Sequence, residues 1–157
     1  MPRGKKIPKR VIAPDPIYHN LLIAKFVNMV MEKGKKTTAQ EIVYGALEIL
    51  KEKKQGEVVK LFDTVMEAVR PSVEVRSRRV GGANYQVPMP VSSERQNALA
   101  FRWMIGAARA RKGQSMMQKL SSEMLDILEG VGGTMKKKED VHRMAEANKA
   151  FAHFARR

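Results

Sequence analysis

The chain contains no cysteine. That absence removes disulfides, thiolate metal sites and thiol nucleophiles together. Aromatic residues make up only 6% of its 157 residues, although hydrophobic residues reach 43%. Such a chain has enough apolar material to fold, and its core must be built mainly from aliphatic side chains and methionine. Long apolar runs are missing as well. Val11 to Ala13, after the basic start, is too short for the core of a signal peptide, and no other run is long enough to span a bilayer. The expectation is a soluble, cytoplasmic protein with no membrane partner. Acids are the last scarce class: 16 Asp and Glu face 30 Lys and Arg, a formal charge of +14. Self-repulsion of that size calls for a polyanion to neutralise it, and nucleic acid is the obvious one.

The excess is local. Residues 32–70 carry eight basic and seven acidic side chains, an ordinary helical surface, whereas residues 1–14 carry five basic and no acidic ones. Residues 72–112 carry eight basic side chains against two acidic. An uncompensated excess of this kind suits a phosphate backbone.

The length fits one domain, and the hydrophobic spacing divides it. Asp15-Pro16 reads as an N-cap and first helical position, followed by Tyr18, Leu21, Leu22, Phe26, Met29 and Val30 at helical spacing up to Gly34. Thr38 and Glu41 have capping-box spacing ahead of Ile42, Val43, Ala46, Leu47 and Leu50. Val59, Phe62, Val65, Met66 and Val69 mark a third helix, stopped at Arg70-Pro71 because the residue before proline avoids helical geometry. The period then changes to two. Val73 to Val80, the Gly81-Gly82 turn, and the alternating Tyr85, Val87, Met89 and Val91 predict a β-hairpin. Pro88 and Pro90 cannot donate to a ladder, so the hairpin is expected to be a lone two-stranded ribbon, with arms of about 25 Å at about 3.3 Å per residue. Ser93 with Gln96, Ser115 with Gln118, and Thr134 then predict the starts of three more helices, the fifth carrying Met117, Leu120, Met124, Ile127 and Leu128 up to Gly130, the last carrying Val141, Met144, Ala145, Asn148 and Phe151. The expected fold is mainly α: a single-domain bundle of six helices with a protruding two-stranded β-hairpin between helices 3 and 4. Within residues 1–157 this gives a basic tail (1–14), helices 1–3 (15–70), the hairpin (72–91), helices 4–6 (93–150) and a C-terminal tail (151–157) expected to fray from Phe154 on.

The basic side chains fall into groups. Arg76, Arg78 and Arg79 crowd one strand, so guanidinium groups leave both faces of the ribbon beside a glycine tip and a tyrosine able to stack on a base. The plainer alternative is that they only guard an edge strand against aggregation. Arg95, Arg102 and Arg109 are seven apart and share one ridge of helix 4, with small residues Ala98 and Gly106 between them, while Leu99, Ala100, Trp103, Met104 and Ala107 form the apolar face. Trp103, in the middle of that face, is assigned to the core. Lys136, Lys137 and Lys138 open the last helix, where the macrodipole disfavours cations, and Glu139 and Asp140 compensate only in part. Phosphates near this end would turn the cost into a gain. Lys35 with Lys36, and Arg111 with Lys112, lie in loops from which they would clamp phosphates sideways.

Catalytic signatures are missing. His19, His142 and His153 lack metal-ligand spacing, Asp140 and His142 point to different helix faces, and there is no Walker loop, G-x-S-x-G or H-E-x-x-H. No metal, no cofactor and no enzymatic activity are expected. Two alternatives compete with an RNA-binding structural protein. A DNA-architectural protein would wedge the basic β-arm into a minor groove, but dispersed patches suit an irregular RNA surface better. An RNA-modifying enzyme would need a cofactor loop or catalytic cluster that the chain does not display.

The hairpin strings Arg70-Pro71, Val73-Glu74-Val75, Ser77-Arg78-Arg79-Val80-Gly81-Gly82 and Tyr85-Gln86-Val87-Pro88 resemble the ribosomal protein S-seven family of the small subunit, bacterial type. The likeness runs from Asp15-Pro16 through Lys25-Phe26-Val27-Asn28, Gly34-Lys35-Lys36, Asn97-Ala98-Leu99-Ala100 and Arg102-Trp103 to the string from Val141-His142-Arg143-Met144 to Ala152-His153. Its ending, Phe154-Ala155-Arg156-Arg157, is less aromatic than in some relatives. The resemblance implies a structural constituent of the small ribosomal subunit that binds the 3′ major domain of 16S-type rRNA and nucleates assembly of the head. It also implies a place near the exit-site tRNA and the mRNA exit channel, neighbouring ribosomal proteins S-nine and S-eleven, a monomer when free, and in some bacteria repression of its own operon message. Carried over, the rRNA surface adds Arg3, Lys5, Lys6, Lys9 and Arg10 of the tail and Arg143 of the last helix to the cations above. The tip residues Gly81, Gly82, Ala83, Asn84 and Tyr85 would face the tRNA.

Overall fold

Six α-helices and one hairpin follow one another in the computed structural model, which describes Gly4 and residues 11–156. They are α1 (Leu21–Val30), α2 (Lys36–Lys54), α3 (Val58–Val69), strands β1 (Val73–Val80) and β2 (Ala83–Pro90), α4 (Ser93–Ala110), α5 (Met116–Leu128) and α6 (Gly133–Ala147). A 3-10 helix, Lys149–Arg156, follows directly, so the expected sixth helix ends early and a tighter helix replaces the expected tail. The mainly α class and the placement of the hairpin between helices 3 and 4 agree with the sequence reading.

Apolar residues at helical spacing meet in one core. Helix α1 contributes Ile23, Phe26, Val27 and Val30; α2 Val43, Ala46, Leu47 and Leu50; α3 Phe62, Val65, Met66 and Val69; α4 Ala100, Phe101, Met104 and Ile105; α5 Leu120, Met124 and Ile127. Helix α5 packs against α2, α3, α4 and α6, which makes it the central element. Phe26 lies 5.4 Å from Phe62 and 5.2 Å from Phe101 between ring centroids, so three of the few aromatics stand where α1, α3 and α4 meet. Trp103 packs against this core, as expected from its place on the apolar face.

Helix starts depart from expectation. The Asp15 carboxylate does cap, but it caps a turn: Oδ2 accepts from the Ile17 and Tyr18 amides, both at 3.1 Å. His19 then takes a φ of +49° and Asn20 caps the true helix, accepting from the Leu22 and Ile23 amides. The buried face takes in Ile23 and Val27 beside Phe26 and Val30, whereas Leu21 is exposed. Thr38 is not a cap either, because α2 begins at Lys36 behind Lys35. Ser92, not Ser93, holds the N-cap position of α4, and its side chain makes no capping bond. Only Ser115 with Gln118 forms both bonds of a capping box.

Buried Asp15 also accepts a hydrogen bond from the Tyr44 hydroxyl through Oδ1 at 2.6 Å, tying the segment before α1 to α2. Burial, then the hydrogen bond and negative charge of Asp15, push the Tyr44 hydroxyl up to about 12 from an ordinary 10.0. The folded-state value is raised, so the stabilisation is complete below pH 10 and is lost as pH rises from 10 towards about 12. Tyr44→Phe should cost about 1.5–3 kcal/mol at neutral pH, the scale of a hydrogen bond to a charged group. Urea unfolding of both proteins should show that gap closing in alkali; a gap constant through pH 12 would refute the coupling.

In the hairpin, Val80 pairs with Ala83 across a two-residue loop in which Gly81 and Gly82 have φ of +57° and +90°. Both loop positions need positive φ, which is why glycine occupies them. The register places Arg76 opposite Val87 and Arg78 opposite Tyr85. One face of the ribbon therefore carries Glu74, Arg76, Arg78, Tyr85 and Val87, and the other carries Arg79. The first face is covered at its base: Val87 is fully buried, α6 packs on β1, and the 3-10 helix packs on β2.

Candidate nucleic-acid interface

The described cations divide into those whose side chains bond to groups of the fold and those whose side chains make no such bond. Arg111 belongs to the first group. Its Nη2 and Nε donate to Glu123 Oε2 at 2.6 and 2.9 Å, and Nη2 also reaches Asp126. The hydrogen bond to Asp126 raises the guanidinium's pKa above its ordinary value, against burial and with help from Glu123. Glu123 is 1% exposed. Its other oxygen, Oε1, accepts from the Thr134 amide at 2.9 Å and the Thr134 hydroxyl at 2.7 Å. Thr134 is thus not the N-cap of α6, which begins behind Gly132; the first turn is capped by a carboxylate from α5. That anion meets the positive end of the helix macrodipole, the place the sequence reading offered to phosphate.

Lys138 is also occupied. Its Nζ donates to the Ala68 carbonyl in the last turn of α3, where a cation is favoured. Arg78 donates to the Phe154 carbonyl at 2.7 Å. Tyr85 packs between Phe151 and Phe154, with centroids 5.2 and 5.3 Å away, so its ring is engaged by the 3-10 helix rather than presented to a base. Arg143 pairs with Asp140 one turn earlier on α6.

Glu74 joins the hairpin to α4. One oxygen pairs with Arg76, and the other accepts from Arg95 Nε at 3.2 Å. At the opposite end of α4, Arg109 pairs with Glu32 in the segment between α1 and α2. Arg109 and Glu32 line a cleft of about 330 Å³ together with Lys35. One turn along from Arg95, Ala98 shares a second cleft with Lys25 and Asn28 of α1. The Arg95, Arg102, Arg109 ridge thus runs beside α1, from the hairpin base to the loop before α2. The 14 steps from Arg95 to Arg109 span about 21 Å at 1.5 Å per residue. A Cβ added at Gly106 would meet nothing within 4 Å, so the ridge has a low, open step between Arg102 and Arg109.

Lys35, Lys36, Arg79, Arg102, Lys112, Lys136 and Lys137 are exposed, and their side chains make no hydrogen bond or ion pair among the described residues. The tip residues Gly81, Gly82, Ala83 and Asn84 are exposed as well. Arg3, Lys5, Lys6, Lys9 and Arg10 lie outside the described residues. Among the described residues no group of three or more His, Asp or Glu is placed to hold a metal ion. The Nε2 of His142 is buried without a hydrogen-bond partner among them, and burial followed by the Lys138 charge lowers its pKa.

Sequence reasoning did not single out Glu74, Glu123, Asp126 or Glu32, the acids that organise these arginines. For Glu74 and Glu123 a signal was present: Glu74 is one of only two acids in residues 72–112, and Glu123 lies on the apolar stripe of α5.

Known proteins share this sequence along nearly its full length. The profile described as "Ribosomal protein S7p/S5e" matches residues 2–149. The small ribosomal subunit protein uS7 of Colwellia psychrerythraea is 55% identical over 154 residues, covering 98% of this chain and 99% of that one. Its counterparts in Idiomarina loihiensis and Pelotomaculum thermopropionicum are 56% and 53% identical over the same span. A profile match over most of the chain, with relatives more than half identical from end to end, shows that this chain belongs to the ribosomal protein S7p/S5e family.

Proposed function

We propose that the chain is a structural, non-catalytic constituent of the small ribosomal subunit that docks on folded rRNA of the 3′ major domain and helps nucleate the subunit head. The observation that carries this reading is the arginine ridge of α4, which runs for about 21 Å from the hairpin base to the loop bearing Lys35. Cations spaced along a rigid helix match a phosphate backbone, and the low step at Gly106 lets that backbone approach closely. The names of the relatives support assembly into the small subunit.

In this reading the exposed hairpin tip lies near exit-site tRNA and the mRNA exit channel, and the neighbours are ribosomal proteins S-nine and S-eleven. Repression of the protein's own message would use the same cations on an RNA that imitates the rRNA site. Binding of a 3′ major-domain rRNA fragment, titrated with salt, tests the reading. With about six to ten phosphates neutralised, affinity should fall about 10³–10⁵-fold between about 50 and 200 mM salt. A flat titration, or equal affinity for an unrelated duplex of the same length, would overturn it.

A further inference from the structure

We infer that Glu74 is a positioning residue for RNA binding: a buried carboxylate that holds Arg76 of the hairpin and Arg95 of α4 as one preset pair of guanidinium groups. The inference rests on the rRNA-binding reading above and deepens it. The Glu74 side chain is 9% exposed, whereas those of Arg76 and Arg95 are 52% and 37% exposed. The carboxylate therefore lies beneath two cations that reach solvent. Each guanidinium carries five N–H donors, and contact with one carboxylate oxygen leaves most of them for a phosphate. Glu74 and Arg95 lie 21 residues apart in the chain, and the Glu74 side chain bonds to both arginines.

The sign of the effect separates positioning from plain charge. By Coulomb's law alone, an acid beside an RNA-binding surface repels phosphate, so removing it should tighten binding. A tether acts the other way, because it spends the rotamer freedom of two arginines during folding instead of during binding. Glu74→Gln should therefore weaken binding of the 3′ major-domain rRNA fragment by about tenfold. The salt slope should become shallower by about one unit, since one ordered phosphate contact is lost. Weak binding to an unstructured polyuridine should stay the same or tighten. In an Arg76→Gln/Arg95→Gln background, Glu74→Gln should cause no further loss.

Circular dichroism and thermal melting monitor the fold. Should Glu74→Gln fail to fold, Glu74→Asp serves, because it keeps the charge but is too short to reach both arginines, and the same loss is expected. If wild-type protein binds the fragment and the folded variant binds it equally or more tightly, the positioning role is overturned while the rRNA reading stands. If wild-type protein does not bind the fragment, the rRNA reading itself fails.

Discussion

Glu123→Ala is expected to destabilise the fold by about 3–5 kcal/mol, the largest effect of any single substitution considered, because it removes a buried carboxylate shared by several donors and leaves the buried ones without an acceptor. Four donors converge on this carboxylate: two from Arg111, and the amide and hydroxyl of Thr134. The substitution leaves the Thr134 groups buried without their acceptor, uncaps the first turn of α6, and leaves Arg111 with Asp126 alone. Glu123→Gln keeps an acceptor for Thr134 and should lose less, about 2 kcal/mol. Space around the site is tight as well: a Cβ on Gly132, whose φ is +98°, would come within 3.2 Å of Glu123 Oε1. Urea unfolding followed by circular dichroism measures all of these. Equal midpoints for wild type and Glu123→Ala would show that the junction of α4, α5 and α6 does not depend on this residue.

A second large effect concerns RNA and separates the two classes of cation. Replacing Lys35, Arg79, Arg102 and Lys136 together by Gln should leave unfolding nearly unchanged, since none of their side chains is bonded within the described fold. It should make the salt slope shallower by about one unit per residue, about four in all, and weaken rRNA binding by orders of magnitude at physiological salt. Arg111→Gln and Lys138→Gln should do the reverse, lowering stability while barely changing the slope, because those cations face Glu123, Asp126 and the Ala68 carbonyl. Equal slope changes for both classes would mean that the bonds Arg111 and Lys138 make inside the fold do not withdraw them from RNA.

Much of the fold was legible because its signals are local. The spacing of Phe62, Val65, Met66 and Val69, ended by Arg70-Pro71, predicts α3 almost to the residue. The two-residue alternation around Gly81-Gly82 likewise predicts the hairpin and its register. Capping signals transferred poorly. Thr38 and Ser93 stand where a capping box fits and Thr134 where a cap fits, yet of these candidates and Ser115 only Ser115, with Gln118, forms its cap. A cap needs an acceptor at a helix start, and the acceptor at α6 comes from Glu123, eleven residues before Thr134 and on another helix. The start of α1 failed for a related reason, as the turn capped by Asp15 and the positive φ at His19 intervene before Asn20.

The cations show the same division. Their number and clustering were visible in the sequence, which points to a polyanionic partner. Their roles were not. Arg111, Lys138 and Arg78 look in the sequence like Lys112, Lys136 and Arg79, but the first three are bonded inside the fold and the last three are not. Nor does the sequence show that Tyr85, a candidate for stacking on a base, is enclosed by Phe151 and Phe154 of the last turns.

By itself, the sequence determined the helical class, the inserted hairpin and the attraction to a polyanion, since hydrophobic period, turn chemistry and net charge are properties of neighbouring residues. Which carboxylate holds which arginine, and so which cations are drawn into the fold and which are held at its surface, was decided only when the chain closed on itself. Arg95 finds Glu74 across 21 residues and Lys138 finds the Ala68 carbonyl across 70. Ion pairs and hydrogen bonds act over a few ångströms of space, and separation along the chain does not measure that distance.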